Sequence, residues 1–116
     1  MAIYNLGRLY YRKKDYDEAR QLFEKSAEFK HRGAINYLGI IYRDGLGVQK
    51  DPEEAIKRFK ESADMHDFNA MYNLGIAYAE GIMIQENRGL AKYWLENAKK
   101  AGNKNAALAL KKYQFD

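Results

Sequence analysis

The sequence predicts an all-α solenoid of antiparallel helix pairs, three hairpins followed by a capping helix. Three observations predict it. A pattern at Ala34, Leu38, Gly39, Tyr42, Gly45 and Ala55 recurs thirty-six places on as Ala70, Leu74, Gly75, Tyr78, Gly81 and Ala91. It recurs thirty-two places before Ala34 as Ala2, Leu6, Gly7 and Tyr10, with Ala19, Phe23 and Ala27 beyond. Self-similarity at this period marks a stacked array of helical hairpins. Within each unit the apolar residues step by three and four, the period of an amphipathic helix. The joints between helices are short, so consecutive helices must lie antiparallel as neighbours. The units run over 1–33, 34–69, 70–103 and 104–116, within a single repeat domain.

Composition sets the outer limits. At 116 residues and 47% hydrophobic, the chain can bury a core as one domain. Ten Tyr and one Pro suit helices packed through aromatic and small residues. The absence of Cys excludes disulfides and Cys-based zinc sites and leans towards a reducing compartment, hence the cytoplasm. No apolar run approaches the ~20 residues of a membrane span. Repeat-like sequence begins directly after Met1 with no signal peptide, which also fits a piece cut from a longer protein. The net charge of +4 comes from interspersed signs. Nucleic acid would want a concentrated basic stripe, so a mildly anionic protein partner is the better match.

In the first hairpin, Ile3, Leu6, Leu9 and Tyr10 define one helix over 2–13. Asp15 caps the second, with Glu18 three places on to complete a capping box. Ala19, Leu22, Phe23, Ser26 and Ala27 form its apolar face. The second hairpin opens with a helix from about Ala34 to Arg43, stopped by Gly45 in a left-handed conformation. Asp51 then caps, Pro52 takes the first helical position, and Glu54 is placed for a capping box. Leu46 and Val48 are expected to fold back over the open end of the hairpin.

The third hairpin begins near Asn69 and alters its joint. Gly81 is kept, Asn87 replaces the capping Asp, and Arg88 replaces Pro. Met83 stands where the previous unit has Gly47, so positive φ is disfavoured there and the Ile82-Met83-Ile84 loop must differ in shape. That loop is either an interaction tip or, the favoured reading, buried over the hairpin end. Ala91, Trp94, Leu95 and Ala98 follow, and Gly102 ends the helix. A last helix runs from about Lys104 to Tyr113. It has Lys111 where earlier units have Gly7, Gly39 and Gly75, so no second helix packs on it and it reads as a polar C-terminal cap. Met1 and Ile3 show no such polar cap at the other end. Leu38, Gly39, Tyr42, Ala55, Phe59 and their equivalents are the expected core.

The first unit, Ala2-Ile3-Tyr4-Asn5-Leu6-Gly7-Arg8-Leu9-Tyr10-Tyr11 with Asp15-Tyr16-Asp17-Glu18-Ala19, resembles a tetratricopeptide repeat. The second and third, with Leu-Gly-x-x-Tyr and the joint Gly45-Leu46-Gly47-Val48-Gln49-Lys50-Asp51, resemble the Sel1-like repeat (SLR) subfamily. Its Trp is present as Trp94, while Leu22 and Arg58 stand at the matching places. Its Gly after the second helix is Gly102 here, but Lys30 and His66 in the other units. The resemblance implies a right-handed superhelix acting as a protein-interaction scaffold, with no catalysis. It also implies that the first helices line a concave groove. The positions carried over are Tyr4, Arg8, Tyr11 and Arg12; Asn36, Ile40, Arg43 and Asp44; Tyr72, Ile76, Ala79 and Glu80; and Lys112.

In that groove Arg8, Arg12 and Arg43 would contact anions, and Tyr4, Tyr11 and Tyr72 would anchor a peptide or partner helix. Against this, the same residues could be solvated faces with Tyr rings packed between repeats. Gripping a C-terminal carboxylate would want Lys and Asn where Tyr4 and Arg8 stand. Catalytic readings find little footing. His31 and His66 sit near turns, no zinc spacing exists, and no metal or cofactor is expected. Glu53 and Glu54 suit the first turn of a helix, and Gly45-Leu46-Gly47 lacks the rest of a phosphate loop. The alternatives are a structural spacer in a longer repeat protein, self-associating through its open N-terminal end, and, remotely, a hydrolase.

Overall fold

The computed structural model describes residues 2–115; Met1, invoked above in reading the N-terminal end, lies outside them. Seven helices follow in order among the described residues: α1 (Ala2–Arg12), α2 (Tyr16–Glu28), α3 (Arg32–Asp44), α4 (Pro52–Asp64), α5 (Phe68–Glu80), α6 (Arg88–Ala101) and α7 (Ala106–Lys112). Each packs mainly on the helix before it and the helix after it, giving an all-α repeat solenoid 41 Å long and 27 × 23 Å across.

The ends of the helices follow from side-chain chemistry. Asp15, Asp51 and Asn87 accept hydrogen bonds from the amides of Glu18, Glu54 and Leu90, satisfying donors that the first turn leaves open. Gly45 and Gly81 stop α3 and α5 at φ 67° and 68°. The place after each second helix also demands a left-handed residue. Gly102 supplies it at φ 111°, whereas Lys30 and His66 hold φ 59° and 70° despite their Cβ atoms.

Several boundaries and contacts differ from the sequence reading. α3 starts at Arg32 because the His31 ring nitrogen Nδ1 accepts from the Ala34 amide at 3.2 Å. α5 starts at Phe68 because Asp67 accepts from Ala70 at 2.9 Å. α7 is shorter than expected, since Asn105 makes no side-chain cap. Glu54 turns from its expected place in a capping box to Arg58, whose Nε donates at 2.7 Å. An ion pair one helical turn away outcompetes a reach back to the neutral cap amide.

One cluster holds Ala19, Phe23, Ala34, Leu38 and Ile41, with Leu46 and Val48 of the joint folded onto it. A larger cluster runs through α4, α5, α6 and α7. Leu6 departs from its expected core role: it is 43% exposed where Leu38 and Leu74 are 0% and 1% exposed. The face it occupies in α3 and α5 is covered by the preceding hairpin, and none of the described residues plays that part for α1. Tyr42 is half-buried rather than buried, its hydroxyl turned to Glu24 at 3.3 Å. In the third joint, Met83 and Ile84 are half-buried against the core while Ile82 is 82% exposed, so the loop is covered only in part.

Candidate functional site

The first helices of successive hairpins stand side by side, and a polar depression lies along them. A cavity of about 410 Å³ opens between α1, α3, α5 and the approach to α7. Of the positions carried over above, Tyr4, Arg8, Asn36, Ile40 and Tyr72 line it. A second cavity, of about 430 Å³, is lined by Tyr72, Ile76, Glu80 and Lys112, with Leu108 and Tyr113. Tyr72 and Asn105 border both, so the two cavities adjoin. Ile40, Tyr72, Ile76 and Ala79 also pack against the core, which makes the floor of the depression part of the rigid framework.

Tyr4 anchors one end. Its ring stacks on His31 at 4.1 Å between centroids, and the Arg8 guanidinium lies 5.7 Å above its face. Burial pushes the Tyr4 phenol above its usual range, with Tyr37 adding to the effect. Gly33 makes room for it: a Cβ there would meet the Tyr4 hydroxyl at 2.9 Å. His31 is held below the usual imidazole range, chiefly by burial.

Five of the carried-over residues, Tyr11, Arg12, Arg43, Asp44 and Ala79, stand outside both cavities. Tyr11 packs edge-on against Tyr37 at 5.0 Å and Tyr16 at 5.6 Å, and burial raises its phenol. Arg12 is exposed at the end of α1. Arg43 forks onto its neighbour Asp44, Nε to Oδ1 at 2.9 Å and Nη2 to Oδ2 at 3.0 Å. This bond raises Arg43 above its ordinary value and holds Asp44 below the usual carboxylate range. A guanidinium already engaged in a bidentate pair offers an incoming anion little. Of Arg8, Arg12 and Arg43, the three residues expected to contact anions, Arg8 alone lines the cavity.

What the sequence reading missed is the set of amides that surrounds Asn36. Asn73 donates to the Asn36 oxygen at 3.0 Å, and Asn36 is 5% exposed. Asn103 donates to the Asn69 oxygen at 3.0 Å and accepts from the Asn105 amide at 2.9 Å. Asn36, Asn69, Asn73, Asn103 and Asn105 all line the first cavity, with Asp67 at its edge. The spacing of Asn69 and Asn73, one helical turn apart, was the available signal. An amide both donates and accepts, so this wall suits neutral polar groups such as a peptide main chain.

Among the described residues no cluster of three or more His, Cys, Asp or Glu could hold a metal ion. No helix among the described residues is long and apolar enough to cross a membrane.

Comparison with known proteins agrees with the architecture. The Sel1 repeat model matches residues 33–67 and 69–103, and the tetratricopeptide repeat model matches 1–30. A Sel1 repeat protein from Oxalobacter formigenes superposes with a TM-score of 0.87 at 28% identity, over 92% of this chain and 44% of its own. Antigen c5321 of uropathogenic Escherichia coli, which displays an SLR fold, gives 0.92 at 29% identity, over 97% of this chain and 25% of its own. The chain therefore spans less than half the length of either. Cysteine rich protein B of Helicobacter pylori shares the fold, with a TM-score of 0.75 at 23% identity over 81% of this chain and 71% of its own. No curated protein sequence matches. With Sel1 repeats over residues 33–67 and 69–103 and the solenoid they build, this chain belongs to the Sel1 repeat family.

Proposed function

We propose that this chain is a non-catalytic protein-interaction scaffold that takes a peptide segment or a partner's helix along the first helices of its hairpins. The observation that carries the reading is the pair of adjoining cavities joined at Tyr72 and Asn105. Together they offer aromatic anchors at Tyr4 and Tyr72, paired amides along one wall, and charges of both signs. Rigid aromatic area beside adaptable polar groups is what a protein-binding surface needs. Arg8 and Lys112, at opposite ends, are the groups that would contact an acidic partner. Membership of a repeat family whose extended faces serve recognition supports the same reading.

The test is selection of peptides from a displayed random library on the immobilised chain. Selected peptides should shift the amide resonances of Arg8, Ile40 and Tyr72 and bind at least about tenfold weaker to Tyr72→Ala. Peptides that bind wild type and variant equally would place recognition elsewhere. A second reading, a spacer within a longer repeat protein that can self-associate, is favoured by the exposure of Ile3, Leu6 and Leu9. Concentration-dependent sedimentation would support it.

A further inference from the structure

The two junctions between successive second helices are built from different chemistry. Their matching positions lie thirty-six places apart, as the caps Asp15, Asp51 and Asn87 do. Between α2 and α4 two ion pairs bridge the junction, Glu24 with Arg58 at 3.2 Å and Lys30 with Glu61 at 3.8 Å. At the next junction Glu24 becomes Lys60, Arg58 becomes Trp94, Lys30 becomes His66 and Glu61 becomes Asn97. Neither pair can form there, and a cavity of about 410 Å³ opens between α4 and α6, lined by Trp94, His66 and Asn97 among others. That volume falls within the roughly 300–1,000 Å³ of small-molecule sites.

The lining suits a cation with apolar substituents. Tyr93 and Trp94 both border the cavity, their rings 5.1 Å apart at 81° to one another, which makes a corner of aromatic surface. Trp94 packs against the core, and the buried side chains of Ala63 and Met71 add apolar lining, so the corner is fixed. Asp64 borders the same cavity from the last turn of α4, where the helix dipole is already negative and no basic residue offsets it. Lys100 borders it from α6. Among the described residues, Asp64 and Lys100 pair neither with each other nor with another charged side chain. Opposite charges held at one cavity without meeting match a ligand that carries both. We propose that this cavity binds a small zwitterion, its methylated ammonium against Tyr93 and Trp94 beside Asp64 and its anionic group at Lys100. Methyl groups spread the ammonium charge over an apolar surface, and aromatic faces attract such a cation. The site is separate from the depression along the first helices and does not rest on the peptide-binding reading.

The probe is glycine betaine, followed through the indole N–H resonance of Trp94, the single Trp of the chain. Betaine should shift that resonance saturably. 3,3-Dimethylbutanoate, which keeps the shape and the carboxylate but lacks the ammonium charge, should bind at least about threefold weaker. Asp64→Asn should weaken betaine about threefold and leave the butanoate unchanged, whereas Lys100→Gln should weaken both. Tyr93→Ala, at a side chain 56% exposed, should weaken betaine with helix content unchanged. Phosphatidylcholine vesicles distinguish the sources of this chemistry. Co-sedimentation that Tyr93→Ala abolishes would support a lipid headgroup as the zwitterion, and betaine binding without co-sedimentation would support a free solute. A Trp94 resonance that betaine does not move, or that the butanoate moves at the same concentration, would overturn the proposal. So would equal affinity for betaine in Asp64→Asn and the wild type.

Discussion

Phe59 occupies the space of the side chain that Gly39 lacks: a Cβ on Gly39 would lie 2.6 Å from the Phe59 ring. Phe59 is itself 0% exposed, held among residues of α4, α5 and α6, so it has nowhere to retreat. Gly39→Ala should therefore overpack the hairpin and cost about 1–3 kcal/mol. Gly89→Ala is the control. A Cβ there would meet only the Asn87 Oδ1 of the helix's own cap, at 3.5 Å, and in the first turn of α6 it should be neutral or stabilising by up to about 1 kcal/mol. Urea unfolding of the two variants measures both.

Leu38 and Leu6 hold the same place in successive repeats, and their exposure of 0% against 43% separates them. Leu38→Ala should cost about 2–5 kcal/mol through the cavity it leaves. Leu6→Ala should cost under about 1 kcal/mol, because water already reaches the site. Equal losses would mean that α1 is covered in solution.

Lys30 and His66 hold left-handed backbone where Gly102 serves the third hairpin. Lys30→Gly and His66→Gly should each stabilise the fold by about 1 kcal/mol. For a domain of this size that raises Tm by roughly 4 °C. Calorimetry of each variant checks it.

His31 caps α3 through an unprotonated Nδ1, and burial lowers its pKa below the ordinary 6.5. The unfolded state then binds more protons than the native state as pH falls through this range. The contribution is fully present above the unfolded value and is lost as pH drops through the lowered native one. The urea midpoint of the wild type should fall between pH 7.5 and 5. His31→Asn, which can cap without titrating, should lessen that fall.

The end of α7 is pinned by Arg88. Its guanidinium lies 4.5 Å from the centre of the Phe115 ring, and Nη2 donates to the Tyr113 carbonyl at 3.3 Å. Arg88→Ala should speed hydrogen exchange at the amides of Gln114 and Phe115, with little change at α3 or α4. Uniform acceleration throughout would mean that the last helix is not a separate opening unit.

The hairpins were legible because their signals are local. Asp51, Pro52 and Gly45 act within a turn of where they stand, and the recurrence of Gly39 and Tyr42 reveals the period without any contact being known. His31 as a cap was less legible, since an imidazole caps only in its neutral tautomer and one orientation. Of the carried-over groove residues, Tyr4, Arg8, Asn36 and Tyr72 do meet at one cavity. Tyr11, Arg12, Arg43 and Asp44 do not, and the amides of Asn69, Asn73 and Asn103 enter from positions that the repeat pattern does not mark.

By itself, then, the sequence determined the helices, their pairing and the repeat, all of which depend on residues near one another in the chain. Tertiary structure alone decided which chemistry is presented. Whether Arg43 is a free cation depends on how its fork meets the carboxylate of Asp44. Whether Leu6 is core depends on what packs against α1. Exposure is a property of the neighbours a side chain acquires across helices, as Leu38 acquires Ala19 and Phe23, and the Arg43–Asp44 pair, though adjacent in the chain, depends on the rotamers of both side chains; no local pattern encodes either.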